Sequence, residues 1–211
     1  MFQRTRCLLK KSWGEPQVVQ LIEENLGGGS SRGPPSARRA SQRVLEFAAA
    51  SDIGFQAELR VAPAQNFKDF AIRLSFSPKH IFSAYHTRYI SAPEHPLTER
   101  VLSYYTQQKS KTLWCQVQAP MPDGGNAVVR KTSERFVRGA LVRALNAAGY
   151  DSTGKSLDGH GTELHGTIRI VVTQPKDILK VEFGKLLHYM TKLVSNTAPR
   201  LKRLTDAVKL P

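Results

Sequence analysis

Gly149–Ser156 reads GYDSTGKS and satisfies the pattern G-x-x-x-x-G-K-[ST] letter for letter. In the phosphate loop that this spacing describes, backbone amides cradle the phosphates, the lysine reaches them as a point charge and the hydroxyl holds Mg²⁺. That chemistry needs a strand before the loop and a helix after it, so that unpaired amides at the helix start face the anion. Here the order is reversed. Residues 133–149, SERFVRGALVRALNAAG, carry a helical apolar stripe, and residues 162–174, TELHGTIRIVVTQ, read as a strand. Gly149 is then expected to be the left-handed residue that ends the helix, with Tyr150 as the apolar contact behind it. Residues 151–161 become a polar connecting loop in which Lys155 and Ser156 are the right types in the wrong setting.

Other constellations are thinner. His160, Glu163 and His165 fall within one segment, but no further His or Cys lies nearby in sequence to close a metal site. No nucleophile-elbow pattern appears and acids are scarce, so no catalytic residue, metal or cofactor is expected. Cys7 and Cys115 are the only cysteines. One pair is neither a disulfide framework nor a zinc spacing, which points to a reducing compartment, and Cys115 reads as a core thiol.

The cations speak more clearly. Lys and Arg number 31 against 17 Asp and Glu, a formal net charge of +14. Such an excess repels itself unless a polyanion offsets it. Arg130, Lys131, Arg135, Arg138 and Arg143 occupy one strand end and the helix face that follows, where they could form a single patch. Lys109 and Lys111 precede the strand at 112–119, and Arg38 and Arg39 sit on an earlier helix. Guanidinium forks suit phosphate oxygens. Tyr85, Tyr89, Tyr104, Tyr105 and Trp114 offer rings that either stack on bases or pack in a core. No RRM, KH, helix-turn-helix or zinc-finger signature is present, so contact with the RNA backbone is expected rather than base readout.

The elements that must position these residues follow from periodicity. Residues 1–35 read as a basic extension and linker: residues 1–13 hold Arg4, Arg6, Lys10 and Lys11 without an acid, as mitochondrial import segments do, and 27–36 is GGGSSRGPPS. Residues 36–198 read as one domain. A helix capped by Ser36 is followed by strands at 55–61 and 70–76 that pair antiparallel, an irregular stretch at 77–96 and a short helix at 97–108. Strands at 112–119 and 126–131 form a hairpin about Asp123-Gly124, and the helix after it takes its N-cap from Thr132 or Ser133, with Glu134 in its first turn. After the strand at 162–174, a helix at 175–196 closes the domain, and residues 199–211 form a loose basic tail. The order predicts an α+β fold, a mainly antiparallel sheet with helices packed on one face. No apolar run approaches the length of about 18 residues needed to cross a bilayer.

These features describe a non-catalytic RNA-binding protein. Its sharpest form is a component or assembly partner of a mitochondrial ribonucleoprotein of the ribosomal type, in the matrix, with rRNA and neighbouring proteins as partners. Two other classes stay open: a nucleotide-dependent enzyme working through GYDSTGKS, and a basic module docking on an acidic protein or anionic membrane. Cytoplasm and nucleus are the alternative addresses.

Overall fold

The computed structural model describes residues 40–62, 71–91, 95–120, 126–159 and 162–209. In chain order its elements are α1 (Gln42–Ser51), β1 (Ile53–Gly54), β2 (Arg60–Val61), β3 (Ile72–Ser77), β4 (His80–Ile81), α2 (Thr87–Ser91), α3 (Thr98–Gln108), β5 (Leu113–Gln118), α4 (Ala127–Ala147), β6 (Gly166–Val172), α5 (Pro175–Ile178) and α6 (Phe183–Lys209). The extension and linker expected over 1–35, and Ser36, lie outside the described residues.

The main sheet has the order β2-β3-β6-β5. β2 and β6 each pair antiparallel with β3, and β5 pairs parallel with β6, so the fold is α+β with a mostly antiparallel sheet. β1 and β4 form a separate parallel pair, Ile53 opposite His80. Alternation sorts the sheet cleanly. Leu74, Phe76, Val117, Ile168, Ile170 and Val172 point to one face, where they pack against Val137, Leu141 and Leu145 of α4 and Leu186, Met190 and Leu193 of α6.

Helices cover both faces, not the single face expected. Behind the sheet, Val44 and Ala48 of α1, Ile90, and Val101, Leu102 and Tyr105 of α3 form a second cluster around Ile53, Phe82 and Trp114. The one-face expectation came from the order of elements, which does not report that the polar residues alternating along the strands are covered too. Ser75, Ser77, Gln118 and Thr167 are in fact buried.

Further expectations are corrected. The expected hairpin is absent: 126–131 opens α4, because the Asn126 side chain caps the helix by accepting the Val129 N–H at 2.9 Å. Arg130 and Lys131 are therefore helical, and Ser133 and Glu134 lie inside a helix of 21 residues rather than at its cap. Most of 55–61 is not strand either. The Glu58 carboxylate accepts the Phe55 N–H at 2.9 Å and winds Gln56–Glu58 into a 3₁₀ turn, leaving only Arg60–Val61 paired. The irregular stretch at 77–96 contains β4 and α2. The closing helix breaks between Ile178 and Phe183, then continues beyond 196 through Pro199 to Lys209, so the segment expected as a loose tail is helical and buries Leu201. Pro199 is tolerated because it and Ser195, whose carbonyl it leaves unanswered, both face solvent. Among the described residues no helix is long and apolar enough to cross a membrane.

Gly166 opens β6 at φ +118°, and a β-carbon there would collide with the Ser77 carbonyl. Gly139, mid-helix in α4, has open space around it. Gly166→Ala is therefore expected to destabilise the fold by roughly 2–4 kcal/mol, and Gly139→Ala to stabilise it by up to about 1 kcal/mol. Urea unfolding midpoints of the two variants check this.

Candidate functional site

β5 is an edge strand, and a cleft runs along it. Its far wall is made by α4, its near wall by α3 and its floor by Ser83–His86. The cavity measures about 550 Å³ and carries Lys111, Lys131 and Arg138 together with Tyr85 and Tyr104. A second cavity of about 360 Å³ adjoins it, sharing Tyr85, His86, Lys131 and Glu134 and adding Arg88 and Arg130. Tyr85 is 40% exposed and Tyr104 46%, whereas Tyr105 and Trp114 are core residues.

The floor is held by side chains of the sheet's polar face. Thr167 Oγ1 accepts the Ile81 N–H at 2.9 Å, Gln116 donates to the Ile81 carbonyl at 2.6 Å, and Gln118 donates to Ser83 Oγ at 3.0 Å. The Ser83 N–H donates to the Tyr105 hydroxyl at 2.7 Å. That hydroxyl lies 2.8 Å from His86 Nδ1. The hydroxyl and Nδ1 therefore share one hydrogen bond, whose donor is set by the imidazole tautomer. Burial, then the Arg88 charge, pushes the His86 pKa down, so the ring is neutral near pH 7.

Glu134 ties the α4 wall to the floor and to the end of β5. Its carboxylate accepts the Tyr85 hydroxyl at 2.7 Å and the Ala119 N–H at 3.1 Å from Oε1's side, and Lys131 at 2.9 Å through Oε2. Burial alone would push the carboxyl pKa up, but the hydrogen bonds from Tyr85, Lys131 and Ala119 and the Lys131 charge outweigh it and hold the value below the ordinary glutamate range. Conversely, burial, then the bond to Glu134 and its charge, pushes the Tyr85 hydroxyl up to about 12.

Of the residues singled out from sequence, Lys111, Lys131 and Arg138 line the cleft and Arg130 the adjoining cavity. Arg130 Nε is buried there without a partner. Arg135 is exposed on α4 about 140° from Arg130 on a helical projection, close to Lys131 and Arg138. Arg143 is turned away, its guanidinium 4.8 Å from the Phe183 ring centre on α6. Lys109 closes α3 outside the cleft, and Arg38 and Arg39 lie outside the described residues. Tyr85 was among the rings singled out from sequence, whereas His86 and Arg88 were hidden in the stretch read as irregular. Glu134 had a visible signal: it stands on the apolar stripe of Val137, Leu141 and Leu145, where an acid requires partners.

GYDSTGKS follows α4 as a closed turn. The Gly149 N–H bonds the Asn146 carbonyl and the Tyr150 N–H the Leu145 carbonyl, each at 3.0 Å, with Gly149 at φ +83°. The loop then supplies its own anion: Asp151 Oδ1 accepts the Thr153 N–H at 2.8 Å and the Lys155 N–H at 2.9 Å. Burial, the largest single influence, pushes the Asp151 pKa up, but the bonds from Thr153 and Lys155 and the Lys155 charge together outweigh it and bring the value below its ordinary one. The amides a phosphate would need are thus occupied. The His165 ring lies tilted against His80, ring centres 4.6 Å apart, while His80 stacks on Trp114 at 4.2 Å; His160 lies outside the described residues. Among the described residues no three His, Cys, Asp or Glu side chains could hold a metal ion. Cys115 is half-buried against the main core, and burial pushes its thiol up to about 12.

Compared with known proteins, the chain matches no family model, no curated protein and no solved structure.

The lowered Glu134 pKa has a consequence for stability. A carboxylate whose folded value lies below its unfolded value of 4.5 stabilises the fold above that value, and the contribution disappears as pH falls through the folded value. Glu134→Gln should therefore flatten the acid limb of a melting-temperature profile taken between about pH 3 and 7, while lowering stability at neutral pH. An unchanged acid limb would show that Glu134 carries no such linkage.

Proposed function

We propose that this protein is a non-catalytic RNA-binding protein that holds the phosphate backbone along the cleft between α3 and α4. The observation that carries the reading is the company kept by Lys111, Lys131 and Arg138: they line one cleft with two exposed tyrosines, Tyr85 and Tyr104. Cations tracking a groove, interleaved with exposed rings, are what single-stranded nucleic acid binding requires. Arg138, Arg135 and Lys111 form no ion pair among the described residues, whereas Lys131 is partly neutralised by Glu134. The charge of +14 favours a polyanion as partner, and the Arg-rich, acid-free start favours a mitochondrial ribonucleoprotein of the ribosomal type, in the matrix, as the setting.

The nucleotide-enzyme alternative fits less well, because the Asp151 carboxylate takes up the Thr153 and Lys155 amides of GYDSTGKS. A docking module for anionic membrane is the weaker fit, since the cations line a concave cleft rather than a flat face.

Binding to an rRNA segment followed across a salt series tests the reading. Affinity should fall steeply with salt, and Lys111→Ala with Arg138→Ala should weaken binding and reduce the log–log salt slope by about two. Lys155→Ala should leave both unchanged. Absent or salt-independent binding would overturn it.

A further inference from the structure

We propose that the cleft beside β5 receives a single unpaired nucleotide, its base edge on the main chain of the strand, its ring on Tyr104 and its phosphate on Lys111 and Arg138. The inference deepens the RNA reading above and rests on it.

The main chain of β5 is the first observation. N–H and C=O of one strand residue point to the same side, and the side alternates along the chain. Leu113 turns its N–H away from the sheet to the Thr153 carbonyl at 2.8 Å, and Ala119 turns its N–H away to Glu134 at 3.1 Å. The register with β6 is unbroken from Leu113 to Gln118, so Cys115 and Val117 also turn N–H and C=O outward into the cleft. No described group answers these four. Each residue thus offers one donor beside one acceptor, the pairing that the Watson–Crick edge of a nucleobase presents in return.

The ends of this edge decide between a base and a peptide. A peptide adding a strand would have to run along the edge past both ends. One end is closed by the Thr153 carbonyl and the other by the Glu134 carboxylate, which also disfavours an acidic chain. What remains open is the length of a planar heterocycle, in a cavity of about 550 Å³, inside the usual range of small-ligand sites. Bases inside a duplex are stacked and paired and cannot present that edge. Tyr104 supplies the platform. It lines the cavity and is braced edge-on by His86 at 5.4 Å and Tyr105 at 5.3 Å.

An unpaired residue of RNA and a free nucleotide carry the same chemistry, and the test separates them. Fluorescence anisotropy of the full chain is read with a labelled single strand of about twelve nucleotides, the same strand annealed to its complement, and nucleoside monophosphates as competitors. The single strand should bind at least about tenfold more tightly than the duplex. Tyr104→Ala should remove that preference with a roughly tenfold loss on the single strand and little change on the duplex, and Tyr104→Phe should keep it. Displacement by monophosphates identifies a free nucleotide as sufficient; displacement by oligonucleotides alone identifies a segment of RNA, and both support the site. Equal binding of single strand and duplex overturns the nucleotide cleft and leaves the backbone reading standing. Capture of poly-glutamate in place of RNA assigns the edge to an extended peptide and overturns it. No binding of RNA or nucleotide removes both readings at once.

Discussion

The parallel pairing of β5 with β6 governs the rest of the structure. Two neighbouring strands that run the same way cannot be joined by a tight turn; the chain must cross from the end of one to the start of the other. α4 makes that crossing, and its 21 residues lie over the sheet with Val137, Leu141 and Leu145 inward. The same crossing carries Lys131, Glu134 and Arg138 past the outer edge of β5, beyond which no strand lies among the described residues. An antiparallel hairpin in this place would have paired that edge and abolished the cleft. The return path is tight: Gly154 at φ +87° packs where a β-carbon would meet the Leu113 side chain and the Leu164 carbonyl.

The second layer exists because the other face of the sheet is polar and still buried. Buried Ser, Thr and Gln side chains are costly unless hydrogen-bonded. They are answered here by the backbone of Ile81 and by Ser83, in a segment that crosses the face without joining the main sheet. Gln56 extends the same device, bonding both the Phe82 carbonyl and Arg169. Tying down the polar face and building the floor of the cleft are therefore one arrangement, with Gln116 Oε1 and Arg169 Nε left buried without a partner. Tyr105 links the layers, with its ring against Phe82 and Trp114 and its hydroxyl between Ser83 and His86.

How much of this is written in the sequence depends on whether the signal is local. The stripe of α4, its Gly149 terminus, the strands β3 and β6 and the extent of α3 are set by period and by caps, and all are legible. Val128 and Val129 mislead because β-branched residues favour strands, while the capping bond from Asn126 that decides the matter involves only a neighbouring amide. The polar face misleads for another reason: period 2 reports which residues share a side and says nothing of what covers them. Of the cleft, the cations are visible as types, but their division is not. Lys111 and Arg138 meet only through the β5–α4 geometry, while Arg143, five residues on, is carried round to Phe183.

That division bears on the charge of the whole chain. Some cations are spent on the fold: Arg143 lies over Phe183, Lys202 lies over Tyr150 at 5.3 Å, and Lys180 pairs with Asp177 at 2.9 Å. Such exposed contacts contribute little each, but they fix where those side chains point. Asp151 is the reverse case, an anion turned onto the Thr153 and Lys155 amides of its own loop, which sets a negative charge where a phosphate would have to sit. Lys111 and Arg138 have no such internal use. They stand within reach of each other's field, each acting on the Cys115 thiol, in a cleft whose sole described acid is engaged by Tyr85, Ala119 and Lys131. Cations that line one cleft without a carboxylate partner among the described residues leave a positive field there for an anion to meet, and this is the physical reason to look for the ligand there rather than at the loop whose letters spell one.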